Sequence, residues 1–272
     1  KYDFSIASQR IQKYVHTTIS EFKHKGAERV IFCLGGDLLN SDRRLDEITA
    51  QATNRTQAQI LAVEILRQAI LDFAKLWPVD VIWVCGNEGR VNPEIGFNNI
   101  VASDNYDHSI PLILRILFED YKGVTFHIPE NPMEAVFTVN GQTVVLIHGH
   151  GGGGGSPTQK ATKVRAKYAE RGITVDFVIW GHIHEACISE LFARSGSPAG
   201  ANAFSDSALG LAGKASLNNY FVSVGGSISG SMIPLQDTKD WDGYDIDTSL
   251  VAYNAKSLSK TKKQTQILQI VV

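Results

Sequence analysis

The stretches Val144-Val145-Leu146-Ile147-His148-Gly149-His150 and Phe177-Val178-Ile179-Trp180-Gly181-His182-Ile183-His184 decide the fold. Each is a short apolar run that ends in polar residues beside glycine, the pattern of a strand buried on both faces of a sheet. Two runs upstream repeat it: Ile31-Phe32-Cys33-Leu34-Gly35-Gly36-Asp37 and Val81-Ile82-Trp83-Val84-Cys85-Gly86-Asn87-Glu88. Ligands in such sheets gather at the carboxyl ends of the strands. Asp37, Asn87, His148, His182 and His184 are therefore expected to meet.

Imidazole, carboxylate and carboxamide together suit a borderline divalent ion such as Mn, Fe or Zn better than Mg or Ca alone. A carboxylate after Gly35-Gly36 is costly to bury unless a metal, hydrogen bonds or water meets it, although Asp37 also reads as a helix cap or loop residue. His182 and His184 alternate, so an extended chain would turn both the same way around Ile183. His148 and His150 repeat that spacing. His148 ends the strand and reads as the ligand; His150, beside the glycine run, faces substrate. Asn87 offers a weak carbonyl ligand. Glu88 is open between a support behind the ligands, a general acid and a charge that tunes the metal, and Arg90 between a phosphate clamp and a solvated loop arginine. His16, His24, His108 and His127 have no partner pattern and read as surface or packing residues.

At 272 residues with 43% apolar content the chain can bury a full core, and one domain over 1–272 is expected. A formal net charge of -2 excludes a broad cationic field, so nucleic-acid binding would need a local basic patch. Cys33, Cys85 and Cys187 read as packing residues, Cys33 and Cys85 inside buried strands, and no disulfide framework is expected. No apolar run is long enough to span a membrane and no signal-peptide pattern is present, so a cytoplasmic location is expected.

The pattern predicts a first helix over Ile6 to Lys25, a strand at Val30 to Leu34, a helix over Thr56 to Leu76 stopped by Pro78, a strand at Val79 to Val84 and a helix around Ile110 to Phe118. Strands follow at Val124 to Ile128, Ala135 to Val139 and Thr143 to Ile147, with an Asn140-Gly141 hairpin turn between the last two. Ser156-Pro157-Thr158 starts a basic helix carrying Lys160, Lys163, Arg165, Lys167 and Arg171, a candidate backbone-binding surface for DNA or RNA. Ser195 to Asn219 reads as an irregular excursion. Further strands are expected at Tyr220 to Val224, Leu250 to Tyr253 and Gln266 to Val271. Because Lys1-Tyr2-Asp3-Phe4-Ser5 enters almost directly into a helix, a strand upstream of Lys1 is expected as well.

The order Gly-Gly-Asp-x-x-Asn, Gly-Asn-Glu, His-Gly-His, Gly-His-Ile-His, from Gly35 to His184, resembles the calcineurin-like metallophosphoesterase superfamily. The stretch from His148 to Lys160 is similar to members found in phages and mobile elements, some of them near the repair-nuclease branch. The resemblance implies an α/β four-layer sandwich, two mixed β-sheets flanked by helices. It implies two divalent ions, Mn first with Fe, Zn, Ni or Mg as alternatives, Asp37 bridging them, Asn87, His148 and His182 on one ion and His184 on the other. Two departures stand out. The opening Asp-x-His element is absent from these residues, and Glu88 stands where the family usually has histidine.

The implied activity is hydrolysis of a phosphoester by a metal-bound hydroxide, with a phosphodiester in nucleic acid or a nucleotide favoured and Asn87, Glu88, Arg90 and His150 serving the phosphate. The competing readings are a phosphomonoesterase or protein phosphatase, and a catalytically impaired binding module that uses the Ser195 to Asn219 excursion. A homodimer is left open by the resemblance.

Overall fold

Period-two burial in the strands builds the layers. In the computed structural model, which describes residues 2–43, 47–48, 51–92, 102–151, 155–200 and 213–251, β1 (Val30–Leu34), β2 (Val79–Trp83) and β3 (Val124–His127) form a parallel sheet in the order β1-β2-β3. Val79, Val81 and Trp83 turn one way, into a core with Val15 of α1 (Phe4–Lys25), Ile70 and Phe73 of α2 (Arg55–Ala74) and Ile110 and Leu114 of α3 (Tyr106–Leu117). Ile82 and Val84 turn the other way, onto Leu146, Ala135, Phe137 and Ile179.

Those last residues belong to a second sheet of five strands. β4 (Glu134–Val139), β5 (Gln142–Ile147), β6 (Phe177–Trp180), β7 (Cys187–Ile188) and β8 (Phe192–Arg194) lie in the order β4-β5-β6-β8-β7, with antiparallel outer pairs and a parallel centre. Val145, Val178 and Trp180 on its far face pack on Ala161 and Tyr168 of α4 (Pro157–Ala169). The result is helices, sheet, sheet, helix: an α/β sandwich of four layers. Mixed pairing resides in the five-stranded sheet. A separate hairpin of β9 (Ser216–Val222) and β10 (Ile228–Pro234) sets Tyr220 and Ile228 against Val144, Phe177 and Ala193, and α5 (Thr248–Val251) closes the described chain.

Local chemistry explains the boundaries. Asp3 caps α1 by accepting from the Ile6 amide at 3.0 Å, and Asn54 and Asn105 cap α2 and α3. Ser156 opens α4 with a reciprocal capping box to Gln159, and Pro157 takes the position where its missing N–H costs nothing. Asn140 and Gly141 both have positive φ, 48° and 80°, as a two-residue hairpin turn of this hand demands.

Several expectations are corrected. β9 starts at Ser216 rather than Tyr220, because Asn218 and Asn219 are buried polar residues that hide the strand pattern. Thr248–Val251 is helical, so the strand expected from Leu250 does not begin there. β7, β8 and β10 are too short or too glycine-rich to have been read from alternation. Cys33 is exposed rather than buried, since β1 lies at the edge of its sheet among the described residues. Much of the Ser195 to Asn219 excursion, three residues of the glycine run, and the expected strand at Gln266 to Val271 lie outside the described residues. Among the described residues no helix is long and apolar enough to cross a membrane.

Candidate metal centre

Strand register brings the site together. Leu34 lies opposite Trp83, so the chain leaves β1 and β2 level, and Leu146 lies opposite Ile179 in the other sheet. Ile82, Val84 and Leu146 clamp the two sheets face to face just below these ends. The Gly181 amide then donates to the His148 carbonyl at 3.0 Å. The four loops that carry the sequence-predicted ligands are thus held within one cluster.

His148, only 2% exposed, is its centre. Its Nδ1 lies 2.8 Å from the carbonyl of Gly35, which can only accept, so Nδ1 carries the hydrogen. Nε2 is left facing Asp37 Oδ2 at 3.0 Å, Asn87 Oδ1 at 3.1 Å and His182 Nδ1 at 3.2 Å. With the His148 ring neutral, its Nε2 and the Asp37 and Asn87 oxygens present lone pairs to one another, and His182 Nδ1 adds a fourth when its hydrogen sits on Nε2. A proton on His148 or a metal ion satisfies all of them at once. A histidine whose second nitrogen is pinned to a backbone carbonyl is the usual support of a metal ligand. Asp37, His148 and His182 have ligand atoms all within 4.8 Å of one another, so the residues present fit a divalent ion, with Asn87 as a fourth donor.

The protonation balance without metal says the same. Burial works to lower the His148 pKa, but the hydrogen bond and charge of Asp37 outweigh it and hold the pKa above the ordinary imidazole value. Burial likewise opposes ionisation of Asp37, and His148 outweighs it, so that carboxyl lies below its usual range. His182 is pushed down to about 4 by burial and the neighbouring His148 charge. It is therefore a free electron-pair donor at neutral pH.

Backbone strain is concentrated here. Asp37 (φ 56°), His182 (φ 68°) and His184 (φ 62°) all occupy the left-handed region, which non-glycine residues rarely adopt. The expectation that His182 and His184 lie on an extended chain is therefore corrected: two left-handed residues turn it. Only His182 joins the converging donors. His184 stands apart from them among the described residues, yet close enough to feel the charges of Asp37 and Glu88. His150 packs edge-on to His182 with ring centroids 5.3 Å apart, and burial followed by the His148 charge lowers its pKa.

Glu88 sits behind Asn87 and Asp37. Its carboxylate accepts from Asn87 Nδ2, which turns Asn87 Oδ1 toward His148, and it also pairs with Arg43. Its own amide donates to Asp37 Oδ1 at 2.7 Å. Arg90 Nε donates to the Asn87 carbonyl at 2.9 Å, and its pKa is lowered by burial and by Arg43, so two guanidinium groups lie on the rim of the site.

Sequence reasoning missed several supporting residues. Buried Arg55 donates to the carbonyls of Glu88 (2.7 Å) and Arg90 (2.9 Å) and stacks 4.6 Å from the Tyr106 ring, fastening the Asn87 loop from below. Asp107, with no exposure at all, accepts from three loop amides, and Asn105 accompanies it. Lys160 donates to the Gly149 carbonyl. The other cations of α4 are mostly engaged: Arg165 with the Val175 carbonyl, Lys167 and Arg171 with Glu134. The histidines read as structural stay outside the site, His127 on Asp80, His16 on Asp72 and His108 accepting from Trp83.

No protein-family model and no curated protein sequence matches this chain. Solved structures do match in part. Vps29 from Entamoeba histolytica complexed with zinc shares 13% identity over 75% of this chain and 98% of its own, with a TM-score of 0.39. A predicted phosphoesterase from Streptococcus pneumoniae shares 11% identity over 75% of this chain and 96% of its own, with a TM-score of 0.31. Similarity at this level carries no argument about the site, which stands on its own geometry.

Proposed function

We propose that this chain is a metal-dependent phosphoester hydrolase of the calcineurin-like type, acting by preference on phosphodiesters. The carrying observation is the placement of His148 Nε2, with its ring fixed by Gly35, among the donor atoms of Asp37, Asn87 and His182. Bound there, a divalent ion such as Mn would supply a nucleophilic hydroxide near neutral pH and positive charge for the phosphoryl oxygens.

The chain's own residues do the rest. Asp37, Asn87, His148 and His182 would hold the ion, with His184 toward a second. Glu88 keeps the Asn87 oxygen turned inward. Arg90 and Arg43 offer planar donors to phosphate oxygens at the rim, a geometry that favours a bidentate phosphate contact. His150 packs beside His182 with its pKa lowered by burial, so its ring N–H would donate a hydrogen bond to a phosphoryl or leaving oxygen, and the proton for the departing alkoxide would come from solvent. A second ion needs further donors. The outer edge of β1 is unpaired among the described residues and exposes Cys33, so an additional strand carrying an Asp-x-His element has a place to pair.

The test is hydrolysis of bis-p-nitrophenyl phosphate with added Mn, beside p-nitrophenyl phosphate, on protein that includes any residues encoded before Lys1. Diester turnover that disappears in His182→Ala and in Asp37→Asn is expected. Equal activity in those variants, or no turnover with any divalent ion, would overturn the reading; turnover of the monoester alone would replace the diester preference. Nucleic acid as the substrate predicts binding that weakens steeply with salt.

A further inference from the structure

Asp107 is wholly buried, and its carboxylate is spent on residues far away in sequence. Oδ2 accepts from the amides of Asp37 and Gly86, each at 2.8 Å, and Oδ1 accepts from the amide of Leu38 at 2.8 Å. An acidic residue in the first turn of a helix ordinarily faces the amides of its own helix. Here the carboxylate points out of α3 and into the gap between the loop after β1 and the loop after β2.

The rest of the α3 start is built around that arrangement. Asn105 Oδ1 accepts from the Asp107 amide at 2.8 Å, and Asn105 Nδ2 donates to the Gly86 carbonyl at 2.9 Å. The Tyr106 amide donates to the Gly89 carbonyl at 2.8 Å, and Arg90 bridges to Asn105. Position 89 must be glycine, because a Cβ there would lie 2.5 Å from Asp107 Oδ2 and closer still to Asn105 Oδ1. A carboxylate buried in this way is retained only where its hydrogen bonds compensate the cost of desolvation.

We propose that Asp107 is a positioning residue for the metal centre: by accepting from Asp37, Leu38 and Gly86 at once, it holds Asp37 in its left-handed turn and fixes the spacing between Asp37 and Asn87. This rests on the metal-site reading given above. The Asp37 and Leu38 amides lie on either side of residue 37, whose φ is 56°, and the Gly86 amide belongs to the residue just before Asn87. One carboxylate therefore sets the relative position of two donors that come from different strands.

The experiment is calorimetric titration of Zn and of Mn into the metal-stripped full chain, with thermal unfolding followed by circular dichroism on the same samples. Asp107→Asn keeps the size of the side chain but presents N–H groups to at least one of the three amides. It is expected to bind metal about tenfold or more weakly, the usual cost of losing a group behind the ligands. Asp80→Asn is the comparison, since it removes another buried carboxylate from the opposite end of β2, where Asp80 pairs with Arg29 and His127. It should lower the unfolding temperature and leave metal affinity unchanged. Unaltered affinity in Asp107→Asn would overturn the proposal. So would an equal loss in Asp80→Asn, which would reduce both to general destabilisation. Absence of metal binding in the unsubstituted chain would instead overturn the metal-site reading, and the inference with it. Should Asp107→Asn fail to fold, Asn105→Ala carries the test: affinity weakened severalfold supports the role, and affinity equal to the unsubstituted chain refutes it.

Discussion

Gly35, Gly36 and Gly86 look equivalent in the sequence and are not equivalent in the structure, which gives a sharp test of how the two loops meet. A Cβ on Gly35 would find nothing within 4 Å, and its φ is ordinary. A Cβ on Gly86 would stand 2.5 Å from the Asp37 amide nitrogen and 2.7 Å from Asp37 Cγ, with Oδ1 closer still. The obstruction is backbone and a doubly held carboxylate, so the loops must part by roughly 1 Å to reach ordinary contact. Overpacking of this kind costs about 1–3 kcal/mol of stability. The functional cost should be larger in proportion. Asp37 Oδ2 and Asn87 Oδ1 lie 3.0 and 3.1 Å from His148 Nε2, and misplacing such groups by about 1 Å can cost on the order of 100-fold in rate. The assay is kcat/KM for bis-p-nitrophenyl phosphate with Mn, paired with urea unfolding. Gly86→Ala should lose about 100-fold in kcat/KM while Gly35→Ala stays within about threefold. Gly86→Ala retaining full activity and stability would show that the Asp37 and Asn87 loops do not touch, and would refute the close approach of Gly86 to Asp37.

Glu88→Ala releases the Asn87 carboxamide and Arg43, so metal affinity measured by calorimetry should fall about tenfold, while Glu88→Gln, which keeps an acceptor, should fall less. Metal must displace the proton on His148, whose pKa is raised; apparent affinity should therefore decline as pH drops through and below neutrality, and a flat profile between pH 8 and pH 6 would argue against His148 as a ligand. Asp80 has a lowered pKa because of its hydrogen bond to Arg29, with burial opposing and His127 assisting. Its contribution to stability is complete above the ordinary aspartate pKa and is lost as pH falls through the lower folded-state value, so Asp80→Asn should flatten the acid side of the stability profile in urea titrations.

The core of the fold was legible because strands buried on both faces have a compositional signature that needs no context. Val30–Leu34 is read from the sequence with its observed ends, and the helices differ from expectation by a few residues at their termini. The converging side chains of Asp37, Asn87, His148 and His182 were legible for the same reason: each follows such a strand. Beyond the Asn140-Gly141 hairpin, what could not be read is pairing between segments distant in sequence. Asn218 and Asn219 break the alternation of β9, yet Asn218 donates to the Arg194 carbonyl and Asn219 to Thr18 and Glu21 across a gap of some two hundred residues. The two left-handed histidines were likewise beyond reach, since no local rule places His182 and His184 at positive φ.

Asp107 shows why support residues are harder to read than ligands. In the sequence it is one of several polar residues between Asn92 and Asp107, a composition that reads as loop. Its identity matters because α3 begins beside two other loops whose amides donate to that carboxylate. The signal that could have exposed it lies elsewhere, in Gly89. A glycine after Asn87-Glu88 reads as turn chemistry, but its φ is ordinary, so the need for glycine is steric and points to something pressed against it. That something is the Asn105 and Asp107 pair. At Gly36 a left-handed φ of 86° is added to the steric need, since a Cβ would lie 2.5 Å from the Gly86 amide nitrogen and 2.9 Å from His148 Nδ1. Gly36, Gly86 and Gly89 therefore mark where the loops touch, and the loops touch beside the converging donors. Ligand geometry here is set less by the ligands' own strands than by the closeness of backbone that Gly36, Gly86 and Gly89 permit and that Asp107 then locks.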